Sequence, residues 1–248
     1  MTYFPFYCDI EKKKWLLVGG GRVAAGKFSR LIAFTRKITV IAPEISDEIK
    51  KDSEVAFRGS DSASVFPESK SKTDLLEKDS TDIISNTETL DDVNSCIRLL
   101  ERDFKAADLD DADIIVAATD DKALNAQIAS LCREKNIPVN AVDDPENCDF
   151  IFPAIIKKGR LTVSVSTNGA SPIYAAMLKK QINDSLPEYI DIILEKMAAL
   201  RKTVPERFPS FTQHERGMLY RKALDQLLED SGAEVDIEAI VAEIMKFH

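Results

Sequence analysis

The chain begins with a short apolar run that is followed by an amphipathic stretch. Residues 15–18 read WLLV, a continuous apolar run that predicts a strand buried on both faces. Residues 24–34 have the spacing of a helix, and residues 37–44 (KITVIAPE) are rich in β-branched residues and end near a proline. This succession of strand, helix and strand predicts a βαβ unit.

The same pattern returns later in the chain. Residues 111–121 (DADIIVAATDD) and 137–144 (IPVNAVDD) predict two more strands, with an amphipathic helix between them at 123–136. Between these βα units, residues 52–94 are polar with weak periodicity and predict an insertion, largely a surface excursion with room for one short helix. The sheet is expected to resume at 96–104. Alternating strands and helices indicate a doubly wound parallel sheet.

After Asp143 the pattern changes. Residues 150–172 contain two β-rich runs joined by KKGR, and the remainder is helical by pattern, with breaks near Pro187 and around 205–209. We therefore predict an α/β protein: a Rossmann-type parallel sheet domain, a strand-containing dimerisation segment and an all-helical C-terminal region. The predicted boundaries are 1–145, with the polar insertion at 52–94, then 146–185 and 186–248.

Charge and composition exclude several partners and sites. The net charge of −9 and pI of about 4.9 argue against nucleic acid and anionic membranes as main partners. No signal peptide is evident, and no run approaches the roughly 20 apolar residues of a membrane span. The four cysteines form no CxxC pair and have no histidine at zinc-like spacing. These features predict a soluble, cytoplasmic protein with reduced thiols and no permanent metal site.

The first strand ends in a glycine turn. Gly19, Gly21 and Ala24 fit the spacing G-x-G-x-x-G/A, in which the backbone approaches a dinucleotide pyrophosphate at the helix N-terminus. The alternative is a turn that serves only helix–sheet packing. The acidic residue that usually binds the ribose is replaced here by IAPE, where Glu44 is slightly late. Backbone groups of Pro43 and Glu44 would serve instead, and NAD is favoured over NADP.

Polar residues follow two later strands. Thr119 and Asp120 would line the nicotinamide side of the crevice; alternatively, an aspartate here only caps the next helix. Asn140, Asp143 and Asp144 stand at the carboxyl end of the next strand, in the same crevice. Asn140 would bind substrate there, and a carboxylate can act as general base or bind a cation. The alternative for Asp143 is a plain turn residue.

A further polar turn lies in the segment SVSTNGASP. Ser166, Thr167, Asn168 and Gly169 offer hydroxyls and backbone N–H groups suited to recognising a carboxylate or phosphate of the substrate. The alternative is an ordinary helix start with Ser171 at the N-cap.

Five ordered stretches resemble one family, the precorrin-2 dehydrogenase/sirohydrochlorin ferrochelatase family, which forms the dehydrogenase–chelatase part of siroheme synthase. They are FPFYCDIEKKKWLLVGGGRVAAGK, ITVIAPEI, DLDDADIIVAATDD, NIPVNAVDDPENCDFIFPAII and LTVSVSTNGASPIYAAMLKKQI. The resemblance implies NAD-dependent oxidation of precorrin-2 to sirohydrochlorin and, in some members, insertion of Fe(II) to give siroheme. It also implies a homodimer with interlocked middle segments and a tetrapyrrole cleft beside the nucleotide domain.

The resemblance also assigns roles to single residues. Asp143 matches the family's aspartate that acts as general base and assists metal insertion as a transient ligand. Gly21, Arg22 and Val23 match nucleotide-loop positions, as do Pro43 and Glu44 at the second nucleotide contact. Thr167 aligns with a serine that is phosphorylated in one branch, in which a glycine stands in place of Asn168.

The sequence leaves three functions open. The chain is either a bifunctional dehydrogenase and ferrochelatase or a dehydrogenase alone, and Asp143 is expected in both. A different class is an NAD(H)-sensing regulatory module that signals through a partner, although the acidic balance and the lack of a basic helix weigh against DNA.

Overall fold

The computed structural model describes residues 3–58, 97–232 and 236–245. They divide into two compact units, Met1–Phe152 and Pro153–His248. The sequence placed a boundary at 145, whereas the first unit continues to Phe152, just before the first strand of the second unit. Among the described residues, no helix is long and apolar enough to cross a membrane.

Within residues 3–58 and 97–152, the first unit is built on five parallel strands. They are β1 (Trp15–Val18), β2 (Ile38–Ala42), β3 (Arg98–Glu101), β4 (Ile114–Ala117) and β5 (Val139–Ala141). The spatial order is β3-β2-β1-β4-β5. The order reverses between β1 and β4, and in open α/β sheets ligands bind in the crevice at the carboxyl ends of the strands at that point.

Helices cover both faces of this sheet. They are α1 (Arg22–Leu31), α2 (Asp47–Arg58) and α3 (Lys122–Glu134). Successive β1 side chains point to opposite faces: Leu17 packs in a core with Phe28 of α1, and Leu16 packs in a second core with Ile128 of α3. Burial on both faces explains why β1 is a continuous apolar run.

The start of the predicted polar insertion is corrected by α2. Residues 52–58 were assigned to the insertion, but they continue this helix to Arg58. The helix buries Ile49, Ser53 and Ala56, which lie on one helical face. A serine in that stripe weakened the apolar pattern. The rest of the insertion, from residue 59 through 94, lies outside the described residues.

The second unit starts with the antiparallel hairpin of β6 (Ala154–Lys158) and β7 (Leu161–Val165). In the described part of this unit, four helices follow: α4 (Pro172–Ser185), α5 (Ile190–Arg207), α6 (Gln213–Glu229) and α7 (Ile237–Met245). Helix α5 continues through Pro205, so the predicted break is displaced to residues 208–212. A parallel α/β sheet followed by a hairpin and helices confirms the predicted fold class.

Candidate functional site

The glycine turn after β1 is held between the ends of two neighbouring strands. Gly19 has a φ of 127°, and a Cβ on it would lie 2.6 Å from the carbonyl carbon of Ala118, which follows β4. A Cβ on Gly20 would lie 2.9 Å from that of Ala42 and would collide with the Glu44 carbonyl oxygen. Both positions therefore require glycine because backbone approaches from both sides.

Gly21 differs from these two glycines because its missing side chain leaves open space. It is the N-cap of α1, and a Cβ there would meet no atom within 4 Å. Within the described residues no side chain caps this helix. The N-terminal N–H groups therefore remain available to an anion, and the helix dipole adds to their attraction.

A buried hydroxyl lies beside the same turn. The backbone N–H of Ser46 donates to the Gly20 carbonyl at 2.9 Å. Its Oγ is buried, and it has no hydrogen-bond partner among the described residues. Buried polar groups are normally satisfied, so an orphaned hydroxyl here fits a site completed by a ligand. Together with the open space at Gly21, it fits a bound dinucleotide.

The segment after β2 presents the predicted second contact. Pro43 and Glu44 are both exposed. The next residue, Ile45, is anchored because its N–H donates to the Glu101 carboxylate at 3.3 Å, and Glu101 also pairs with Lys50 at 2.8 Å. The side chain hydrogen bond from Lys50 lowers the pKa of Glu101. The loop is thus fixed from the outer strand β3, while Glu44 stays open to solvent.

After β4, a buried amide fixes the predicted nicotinamide-side residue. Asn125 of α3 is buried, and its Oδ1 accepts hydrogen bonds from the Thr119 N–H at 3.2 Å and from its Oγ1 at 2.7 Å. Asp121, rather than Asp120, caps α3 by accepting from the N–H groups of Ala123 and Leu124. Thr119 is therefore rigid and half-buried, whereas Asp120 is exposed and is not the helix cap.

Asp143 follows β5 in an unusual backbone conformation. Its φ is 60°, in the left-handed region that few residues other than glycine adopt and that aspartate tolerates. Its side chain is exposed, and no hydrogen bond or ion pair to it occurs in the described parts of the chain. Strained backbone at a sheet's ligand-binding edge is a mark of functional residues.

The other predicted residue of this strand, Asn140, is buried inside β5. Its Nδ2 donates to the Phe150 carbonyl at 2.8 Å and contacts the Cys148 sulfur at 3.4 Å. Its Oδ1 accepts a hydrogen bond from the Lys27 ammonium at 3.3 Å.

Lys27 of α1 was not predicted from the sequence. Its ammonium also lies over the Phe152 ring, 4.2 Å from the centroid. Burial, followed by the charge of Arg30, lowers the pKa of Lys27 to about 8, while the charges of Cys148 and Asp143 act in the opposite direction. On an amphipathic helix a lysine is usually a solvated surface group, so no sequence signal distinguished it.

Most of the site residues predicted in the first unit lie at the carboxyl end of the parallel sheet. Arg22 and Val23 are exposed in the first turn of α1, directly after Gly21.

Within the described residues, no group of three or more His, Cys, Asp or Glu side chains is arranged to hold a metal ion.

In the second unit, the segment 166–169 forms a tight turn before α4. The Ser166 Oγ accepts from the Asn168 N–H at 3.1 Å, and the Thr167 Oγ1 accepts from the Ser171 N–H at 3.0 Å. Asn168 and Gly169 have positive φ values of 52° and 84°. Ser171 caps α4, as the alternative interpretation expected. The proposed substrate role of this turn stays a prediction.

Comparison with known proteins agrees with this geometry. The model of a family described as "Putative NAD(P)-binding" matches residues 6–154, more than half of the chain. The chain belongs to this family. A second family model, described as "Sirohaem biosynthesis protein central", matches residues 158–185 of the chain. Nucleotide binding thus agrees with the open glycine turn.

Two similar curated proteins are siroheme synthases. The chain is similar to siroheme synthase of Methylococcus capsulatus, with 34% identity over 84% of the chain and 36% of that protein. It is also similar to siroheme synthase of Thioalkalivibrio sulfidiphilus, with 30% identity over 95% of the chain and 39% of that protein. The chain thus spans well under half the length of these relatives. The resemblance stated from the sequence is confirmed.

A solved structure shares the fold. The protein titled "SirC, precorrin-2 dehydrogenase" matches with a TM-score of 0.64 and 20% identity, covering 98% of this chain and 100% of that one.

Proposed function

We propose that this chain is an NAD-dependent dehydrogenase that oxidises precorrin-2 to sirohydrochlorin in siroheme biosynthesis. The observation that carries the proposal is Asp143: an exposed carboxylate without a partner in the described residues, held at the carboxyl end of β5. It stands at the same sheet edge as the open glycine turn. The siroheme synthase relatives and the precorrin-2 dehydrogenase fold support this substrate class.

The chain's own residues suit a dinucleotide. The free N–H groups of α1 beyond Gly21 would hold the pyrophosphate, and the orphaned Ser46 hydroxyl would gain a partner. Thr119, fixed by Asn125, would line the nicotinamide side. When bound, the nicotinamide supplies the hydride acceptor.

Asp143 would handle the proton. Sirohydrochlorin has two hydrogens fewer than precorrin-2, so one leaves as hydride to NAD⁺ and the other as a proton. A carboxylate with no competing partner can accept that proton, and such a base contributes about 10²- to 10⁴-fold to a rate.

The cofactor of this reaction is NAD rather than NADP. Glu44 is exposed two residues beyond the end of β2, and its carbonyl lies against Gly20 of the nucleotide turn. A carboxylate at this position disfavours a 2′-phosphate because the two negative charges repel each other.

The same site is proposed to insert Fe(II), with Asp143 as transient ligand of the substrate metal. The siroheme synthase relatives support this step. The alternative is dehydrogenation alone, with a separate chelatase.

The active form is proposed to be a homodimer. Helix α4 exposes Ile173, Tyr174 and Met177, with 84%, 50% and 46% of their surfaces accessible. Apolar side chains grouped on one helix favour burial against a second copy. Light scattering of the wild type and of Ile173→Glu tests this, since a dimer would be weakened by the buried charge.

The first experiment is anaerobic turnover of precorrin-2 with NAD⁺, followed by absorbance, with Fe(II) added after the first phase. Asp143→Asn is the decisive variant because asparagine tolerates the left-handed backbone that alanine would strain. The control is Glu146→Gln, an exposed carboxylate in the same loop. We expect a loss of about 10²-fold or more in Asp143→Asn and little change in the control.

The outcomes separate the candidates. An NAD-dependent rise of sirohydrochlorin establishes the dehydrogenase, and a further iron-dependent change faster than the protein-free control adds the chelatase. Binding of NAD⁺ without any turnover of precorrin-2 would contradict the enzyme proposal and favour the NAD(H)-sensing module.

A further inference from the structure

Lys27 is a cation without a counter-ion near the proposed reacting groups. Its only hydrogen bond in the described residues runs to a neutral amide oxygen, that of Asn140, at 3.3 Å. No carboxylate of the described residues lies within ion-pair distance of the Lys27 ammonium, although the negative charge of Asp143 acts to raise the pKa of Lys27. A half-buried ammonium loses hydration, and proteins normally compensate with an opposite charge.

The ammonium is held in place rather than free to swing into solvent. Asn140 is only 5% exposed, and its amide is fixed by the Phe150 carbonyl. The Phe152 ring below the ammonium packs against Phe150 at 5.7 Å and Trp15 at 6.5 Å between centroids. An ammonium has three donors, of which Asn140 takes one and the ring face attracts another.

The position of Lys27 matches a need of the proposed substrate. Precorrin-2 is a tetrapyrrole with several carboxylates, and this chain has a net charge of −9, which repels such a molecule in general. Lys27, with Arg30 near enough to lower its pKa, forms a local positive region on α1. An incoming carboxylate would supply the missing counter-ion in a charge-assisted hydrogen bond.

We propose that Lys27 is a substrate-binding residue: its ammonium, held between Asn140 and Phe152, binds a carboxylate of the tetrapyrrole and so places the macrocycle beside Asp143. The inference rests on the proposed dehydrogenase function. The other anion that this site would accommodate is a phosphate of the dinucleotide, and the test separates the two.

The test uses Lys27→Met and Lys27→Arg, with Lys122→Met as control. Lys122 is exposed in the first turn of α3 at the same end of the sheet. Each protein is compared for KM and kcat with precorrin-2, for sirohydrochlorin affinity by fluorescence, and for NAD⁺ affinity by calorimetry. Loss of one charge-assisted hydrogen bond corresponds to about a ten- to hundredfold change in affinity.

We expect Lys27→Met to raise KM and to weaken sirohydrochlorin binding by that factor, with kcat reduced less and NAD⁺ affinity unchanged. Lys27→Arg should recover part of the loss, and Lys122→Met should resemble the wild type. Unchanged tetrapyrrole affinity in Lys27→Met overturns the inference while leaving the dehydrogenase intact. Weakened NAD⁺ binding alone overturns it in favour of the phosphate.

A measurement on the wild type covers the case in which Lys27→Met does not fold. Acylation of Lys27 at pH 8, followed by mass spectrometry, should be suppressed by sirohydrochlorin and not by NAD⁺. Acylation unaffected by sirohydrochlorin, in a protein that does turn over precorrin-2, contradicts the role of Lys27. A wild type that neither turns over precorrin-2 nor binds sirohydrochlorin removes the proposed function, and this inference with it.

Discussion

The pairing of charged side chains differs between the two ends of the parallel sheet. At the amino end, where strands begin, charged side chains are paired with one another. The pairs are Lys13–Asp113 at 3.4 Å, Lys14–Asp111 at 2.5 Å, Arg98–Asp111 at 3.2 Å and Lys135–Asp110 at 2.7 Å. Hydrogen bonds from this network lower the pKa of both Asp111 and Asp113.

At the carboxyl end the ion pairs stay at the outer strand β3, namely Lys50–Glu101 and Arg102–Asp108. Nearer the centre, Lys27, Glu44 and Asp143 form no ion pair within the described ranges of the chain. This difference shows that the charged side chains at the amino end pair with one another and so stabilise the packing of strands and loops. Charge at the other end remains available to ligands, at some cost in desolvation.

The largest effect is expected from substituting the glycines at the carboxyl end of the sheet. Gly19→Ala should lower both stability and nucleotide affinity, because the new Cβ meets the Ala118 backbone at a φ of 127°. Strain of this kind costs at least about 2 kcal/mol. Gly21→Ala should keep the melting temperature and weaken NAD⁺ binding about tenfold or more, because its Cβ enters only the open space.

Calorimetry measures the NAD⁺ affinity of both variants, and thermal melts measure their stability. Equal loss of stability in the two would mean that the turn serves packing alone, the alternative that the sequence left open.

A second change alters the charge balance around Lys27. Asn140→Asp would place a carboxylate at the hydrogen bond that Lys27 now donates to a neutral amide. An adjacent negative charge favours the ammonium and should raise the pKa of Lys27 above its value of about 8. Tetrapyrrole affinity should then fall about tenfold, since the internal carboxylate competes with that of the substrate.

The pH dependence of Lys27 follows from its lowered pKa. The ammonium loses its proton as the pH rises through about 8, well below the value for an exposed lysine, so its reaction with acylating reagents should rise across that range. Competitive labelling at pH 7, 8 and 9 measures this directly. In Asn140→Asp the rise should move to higher pH, and a profile that does not move would contradict the hydrogen bond.

The smallest effect is expected at the amino end. Asp111→Asn removes two exposed ion pairs, which together should cost no more than about 1 kcal/mol at neutral pH. Because the folded pKa of Asp111 is lowered, its contribution is present above the unfolded pKa and is lost as the pH falls through the folded one.

Denaturant melts from pH 7 to 3 should therefore show a shallower loss of stability for this variant than for the wild type. Binding of NAD⁺ should not change. A clear loss of NAD⁺ affinity in Asp111→Asn would remove the distinction between the two ends of the sheet.

The strands and the nucleotide turn were predictable because their signals are local. β1 lies at residues 15–18 as its apolar run predicted, and β3 falls inside the predicted resumption of the sheet at 96–104. Helix α2 was not predicted, and its second half was assigned to the polar insertion, since the buried Ser53 interrupts an apolar stripe that only packing reveals. Asp143 was found from its place at the end of a strand, but its left-handed backbone was not.

By itself the sequence determined the order of the parallel strands along the chain, the glycine turn and the position of Asp143 after β5, since each depends on neighbours along the chain. The tertiary structure alone decided that Ser46 lies orphaned against the turn and that Lys27 meets Asn140, 113 positions away in the sequence. Which charges are paired depends on which strands lie side by side and where α1 packs on the sheet. The same lysine would be a solvated surface group on an isolated helix, and only the fold buries it beside the carboxyl end of β5.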